Sequence, residues 1–352
     1  MITRNLSRAR RIALVTVLAC LAPLAAHAQL QPNARANGET LTIQYIGGSM
    51  ANYPAIIAEK KGLCDKHGFK CETKAINVGT LALQALVGKS VDVALAGTDT
   101  AVANISQGGD LLIVATLRQN SPFVVAAGAD VAMPNKAKGY PAMMQDFKGR
   151  KVGVTARGAA TETNFIALLL GAGMQPTDVT FVPVGGPATA YQALTVGKQI
   201  DFLVIFEPIP TLCAGSKSCE IVIDLTAGTF GPRSVTAMNG AMITLLMRRE
   251  MVESNPKLAH AYVAAMSEAV KWARDPANFE EVMKIYEPII NFGNAPSAAD
   301  MRRQLVKTEL ATSSPGMETS RAALKAIVDF TLANKTIDKP IDPVKLVWKE
   351  AP

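Results

Sequence analysis

Two loops of this chain collect short hydroxyls, small residues and isolated charges directly after an apolar, strand-like run. Leu41–Ile46 leads into Gly48, Ser49, Met50, Asn52 and Tyr53, and Lys151–Thr155 leads into Ala156, Arg157, Gly158, Ala159, Ala160 and Thr161. Small residues let backbone N–H groups approach a ligand, and a helix N-terminus adds unpaired donors and about half a positive charge. The chemistry on offer is non-covalent capture of a small anion. Arg157 supplies a guanidinium for a carboxylate or sulfonate, unless it pairs with Glu162 or faces solvent.

Further candidates follow other apolar runs: Gly97, Thr98 and Asp99 after Val91–Ala96, Gly185 and Gly186 after Val179–Val184, and Glu207 after FLVIF. Loops at the C-terminal ends of strands are where open α/β sheets bind ligands. Ser49 and Thr98 either touch ligand or cap their helices. Asp99 precedes an apolar helix and reads better as a cap. Glu207 needs a partner, because a carboxylate after such a run is costly to leave unpaired. Tyr53 could stack on a ring, Tyr191 reads as packing, and Gln119 and Asn120 fall where a crossover would begin. His67, His260 and the methionines read as structural. There is no nucleophile–base pair, HExxH, GxSxG or P-loop, so neither catalysis nor a cofactor or metal is expected.

The elements that must position these residues alternate between strand and helix. Strands are expected at 41–46, 70–77, 91–96 and 111–117, with helices at 54–61, 81–88 and 100–107 between them. After a loop at 129–145, strands at 151–155, 179–184, 200–205 and 221–224 alternate with helices at 161–170 and 188–196. This is an α/β pattern, and it predicts a mostly parallel sheet in each half. From residue 242 the chain turns helical, at 255–274, 279–286, 298–310 and 320–333. Gly240–Met247 reads as a buried strand needing sheet partners, so the helical block is expected to pack back on the first sheet. The expected division is a signal peptide at 1–28, a linker at 29–40, lobe one at 41–127 plus 235–352, and lobe two at 128–234.

The N-terminus reads as an export signal. Arg4, Arg8, Arg10 and Arg11 precede an apolar stretch ending in Ala26-His27-Ala28. Cys20 loosely resembles a lipid-attachment site, but the residues after it stay apolar, which disfavours an anchor. Cleavage lowers the net charge from +7 to +3, leaving no electrostatic case for nucleic acid. Four cysteines remain, an even count that suits an oxidising compartment. Of three connectivities, the local pairs Cys64–Cys71 and Cys213–Cys219 are preferred, because each brackets a turn-like segment. A four-cysteine zinc site lacks the CxxC spacing.

Four passages carry a family resemblance: YPAIIAEKKGLCDKHGFKCE, LALQALVGKSVDVALAG, FKGRKVGVTARGAATETNFIALLLGAGMQPTDVTFVPV and AYQALTVGKQIDFLVIFEP. Together they resemble solute-binding proteins of ABC importers, in the nitrate/sulfonate/taurine and thiamine-precursor group. That resemblance implies a two-lobed type II periplasmic-binding fold, with a discontinuous first lobe, closing on one small solute. It implies a monomer in the periplasm that presents its ligand to an inner-membrane ABC permease. The expected ligand is a small anion of sulfonate, taurine, nitrate or carboxylate type; the alternative is a pyrimidine or other heterocycle. Many relatives carry Gly-Ser where this chain has Arg157-Gly158-Ala159-Ala160-Thr161, which removes a hydroxyl donor. An enzyme branch of the fold, the yeast-type pyrimidine synthase, uses a cysteine-rich motif and an active-site histidine. After cleavage the chain keeps only His67 and His260 and no clustered cysteines, which disfavours that branch and leaves an enzyme on the same fold as the lesser alternative.

Overall fold

A computed structural model describes residues 35–290, 292 and 297–352. The expected signal peptide, Cys20 and residues 29–34 of the linker lie outside the described residues. Two five-stranded sheets organise the chain. The first has the order β2-β1-β3-β10-β4, from β1 (Thr40–Tyr45), β2 (Lys70–Ala75), β3 (Val93–Gly97), β4 (Leu111–Arg118) and β10 (Ile243–Arg248). The second has the order β7-β6-β8-β5-β9, from β5 (Val124–Gly128), β6 (Lys151–Val154), β7 (Thr180–Pro183), β8 (Phe202–Ile205) and β9 (Cys219–Asp224). The two sheets therefore repeat one plan.

Neither sheet is as parallel as the sequence pattern predicts. β10 runs antiparallel to both β3 and β4, and β5 runs antiparallel to both β8 and β9. Each of these strands arrives from the other sheet, so it enters without the crossover helix that enforces a parallel neighbour. β5 also moves the first crossover. The chain leaves β4 at Arg118 and joins the second sheet at Val124, ahead of the expected boundary at 127–128. The short run VVAAG lacks the bulky alternation that marks a strand. The return crossover spans the segment between β9 and β10.

The longer helices fill the connections: α1 (Tyr53–Lys60), α2 (Gly79–Val87), α3 (Thr98–Ser106), α4 (Ala160–Gly171), α5 (Pro187–Thr195) and α6 (Ile209–Ser216). After β10 come α7 (Pro256–Arg274), α8 (Phe279–Tyr286), α9 (Ala298–Thr312) and α10 (Arg321–Ala333). α7 packs on α1 and β4, and α10 packs on α3, so the late helical block covers the first sheet. Pro54 and Pro256 sit in first turns, where a missing N–H costs nothing. Both local disulfides form, Cys64–Cys71 tying α1's downstream turn to β2 and Cys213–Cys219 tying α6 to β9. Among the described residues, no helix is long and apolar enough to cross a membrane.

Candidate functional site

The C-terminal ends of both sheets face one another, and the elements meet closely there. A Cβ added at Gly97, which ends β3, would lie 2.3 Å from the Cβ of Ala160 at the start of α4. One at Gly186, before α5, would lie 2.8 Å from Asn77 Cβ. Only glycine permits these approaches. Asp99 in α3 accepts a hydrogen bond from the Thr163 hydroxyl of α4, directly linking the two halves.

Between them lies a cavity of about 60 Å3. Its walls are largely apolar: Ile46, Leu95, Ala96 and Ile243 from the first half, Ala159, Ala160 and Phe206 from the second, with Phe123 of the crossover. Three helix starts reach it, through Gly79 of α2, Thr100 of α3 and Thr161 of α4. The charged residues on its wall are Arg118, Glu207 and Glu309. Arg118 ends β4 and is buried; its guanidinium donates to the Glu309 carboxylate and to the Thr312 hydroxyl of α9.

Two carboxylates thus share one guanidinium that is already committed. Glu207 accepts a backbone bond from Thr211 at 3.2 Å. Burial, reinforced by the Glu309 charge, pushes the Glu207 carboxyl up to about 7, against the opposing pull of the Thr211 bonds and Arg118. Burial also raises the Glu309 carboxyl, while Arg118 pulls it down. The cavity therefore carries a deficit of positive charge, which a proton or a ligand's N–H groups would relieve.

The expected site residues separate into four groups. Ala159, Thr161 and Glu207 line the cavity. Thr161 also accepts from the Thr155 backbone N–H at 3.1 Å, so its hydroxyl holds the loop in place. Gln119 lines a neighbouring chamber instead, its carbonyl accepting from Gly240 N–H at 2.7 Å.

The third group supports the loops from within. Ser49 donates to the Ile46 carbonyl at 3.2 Å, and Asn52 donates to the Gln44 carbonyl at 2.7 Å. Met50 and Tyr53 are fully buried, and the Tyr53 hydroxyl meets Ser313 at 2.6 Å. Burial pushes the Tyr53 phenol up to about 12. Thr98 donates to the Ala241 carbonyl, locking α3 to the return crossover. Asp99 accepts from the Thr100 N–H at 2.8 Å, so the α3 start holds its own carboxylate, which burial keeps above the usual range.

Arg157 does not reach the cavity. Its side chain is 63% exposed, pairs with Glu162 at 2.7 Å and lies over the Phe181 ring. Glu162 also accepts from Gly158 N–H at 2.6 Å, so the residues just before α4 likewise face an internal carboxylate. Gly186 makes interlobe contact rather than lining the chamber. Sequence reasoning missed Arg118 and Glu309. Arg118 did carry a signal, as a cation ending the apolar run LLIVATL at a strand's C-terminal end. Glu309 carried none, since it sits in a helix rich in charges.

The sequence profile of the NMT1-like family matches residues 34–287. A Brucella abortus (strain 2308) protein, named only provisionally as a binding protein, is 23% identical over 88% of this chain and 90% of its own length. Among solved structures, the alkanesulfonate-binding protein SsuA from Xanthomonas axonopodis pv. citri superposes with a TM-score of 0.70 at 18% identity, covering 89% of this chain and 99% of that one. The periplasmic aliphatic sulphonate-binding protein SsuA from Escherichia coli gives 0.65 at 19% identity, covering 89% and 93%. At these identities the structural likeness establishes the fold, that of periplasmic binding proteins.

Proposed function

The chain belongs to the NMT1-like family, and on that premise we propose that it is the exported solute-binding component of an ABC importer. In this reading residues 1–28 direct export, the mature chain works in the periplasm as a monomer, and its two halves close over one small solute. The permease then recognises the closed form, a population shift driven by the solute's preference for it. The lobes are taken as 41–123 with 235–352, and 124–234, the first boundary moved to the crossover that precedes β5. The observation that carries the proposal is the cavity walled by strand ends and helix starts of both sheets. The solute leaves unchanged, which separates this role from that of an enzyme on the same fold.

The lining also favours one ligand class. A sulfonate, taurine, nitrate or carboxylate would need a free cation. Among the described residues the cavity offers only Arg118, already paired with Glu309, while Arg157 is engaged at the surface. Glu207 favours the alternative, a pyrimidine or other heterocycle that donates N–H to a buried carboxylate from an apolar chamber. Such a bond is charge-assisted and about twice as strong as a neutral one.

A thermal-shift panel on unfolded-and-refolded mature protein tests this, with sulfonates, nitrate, carboxylates and aminopyrimidines as probes. An aminopyrimidine is expected to raise the melting temperature saturably, and Arg157→Ala is expected to leave that rise intact. A saturable rise with an anion, lost in Arg157→Ala, would overturn the ligand assignment. No rise with any probe would count against the solute-binding reading itself.

A further inference from the structure

A second chamber lies against the first. It measures about 360 Å3 and shares the wall formed by Arg118, Pro122, Glu207 and Glu309. Its own lining is far more polar than the first chamber's: Asn120, Ser121, Asp224, Thr226, Thr308 and Thr312 stand among Val124, Pro210 and Pro315. Asn120, Asp224 and Thr312 are exposed, so this chamber reaches the surface at the crossover between the sheets.

The inner chamber alone holds only several water-sized groups. That is small beside the roughly 300–1,000 Å3 of ordinary small-molecule sites, and the outer chamber brings the whole into that range. The outer lining also has a sign. Asp224, Glu207 and Glu309 line a chamber whose one guanidinium, that of Arg118, is paired with Glu309. Asp224 spends one oxygen on the Thr226 N–H and hydroxyl, at 2.8 and 2.7 Å. Its second oxygen accepts no bond among the described residues.

We propose that the solute site has two compartments, the inner taking a compact, largely apolar head and the outer a hydrogen-bond-donating, positively charged tail such as a primary ammonium. The inference rests on the solute-binding reading above and adds the shape and charge of what is bound. Glu207 belongs to both walls, so it meets the junction between head and tail. Asp224 and the hydroxyls of α9 meet the tail's end. The specificity of the site then lies partly in the outer chamber, where Gln119, Asn120 and Glu207 follow strands and Asp224, Thr308 and Thr312 add positions that the strand-end loops alone would not suggest.

Calorimetric titration of the mature chain with three probes tests this: 2-aminopyrimidine, the same ring bearing a 3-aminopropyl tail, and the same ring bearing a propyl tail. The aminopropyl compound is expected to bind at least about tenfold more tightly than the bare ring, as a charge-assisted bond allows, and the propyl compound no more tightly. Thr308→Trp, which crowds the outer chamber, should erase the gain of the aminopropyl compound over the bare ring. Asp224→Asn, a change too small to disturb folding, should reduce the gain. Equal affinity of all three probes, or a gain that survives both substitutions, would overturn the two-compartment site alone. Failure of every probe to bind would overturn it together with the ligand assignment on which it rests.

Discussion

At the scale of single residues, the site is governed by an imbalance between Arg118 and the carboxylates of Glu207 and Glu309. Glu207 has a measurable consequence. Its carboxyl titrates near 7 in the fold, against an ordinary value of 4.5, so the folded state holds the proton more tightly than the unfolded chain does. Glu207's contribution to stability is therefore full below about pH 4.5 and is lost as pH rises through about 7, by on the order of 3 kcal/mol at most. Denaturant melts of the ligand-free protein across this window are expected to show that decline, and Glu207→Gln to remove most of Glu207's share. Asp99 and Glu309 are also raised by burial, so a residual slope is expected in the variant. Identical slopes in the two proteins would place Glu207 in water. Glu207 was legible in the sequence because a carboxylate after FLVIF must be answered by something. Arg157 misled because charge and position resemble a ligand contact, whereas the adjacent Glu162 decides where it points.

At the scale of elements, most strands and helices were readable to within a few residues from alternation, caps and glycines. The exceptions have physical causes. β5 is a short run of small residues, and α6 is hidden by Pro208 and Pro210, which mark a turn in sequence yet begin a helix here. The loop hydroxyls proved harder to read: Ser49 and Thr98, expected either to touch ligand or to cap their helices, instead donate to the Ile46 and Ala241 carbonyls, and neither α1 nor α3 has a side-chain cap. Gly97 shows how tightly the elements must meet. Its backbone is compatible with alanine, but the added Cβ would collide with Ala160 across the cleft and approach an Asp99 oxygen within 2.7 Å. Overpacking of this kind costs about 1–3 kcal/mol; the Ala160 collision arises only where the two halves meet, whereas the Asp99 approach is local to the α3 start. Gly97→Ala is expected to weaken solute binding roughly tenfold while lowering the stability of the empty protein by less than it lowers the binding free energy. An equal loss in both would show that the glycine serves folding rather than closure.

At the scale of the whole molecule, two sheets of like plan, joined by two crossovers, place most cavity-lining residues at their facing ends, with Phe123 from a crossover and Glu309 from α9. The two-lobed α/β plan follows from the alternating pattern and the family resemblance. The charge of the cleft does not, because it depends on Glu309, carried by a helix nearly two hundred residues downstream of Arg118. The closing claim is mechanical: a small solute holds the halves together. Small-angle scattering of the stripped mature chain, titrated with the compound that most raises its melting temperature, tests it directly. The radius of gyration is expected to fall with the same midpoint as the thermal response. A melting temperature that rises while the radius stays fixed would contradict closure and leave a binder with a rigid site.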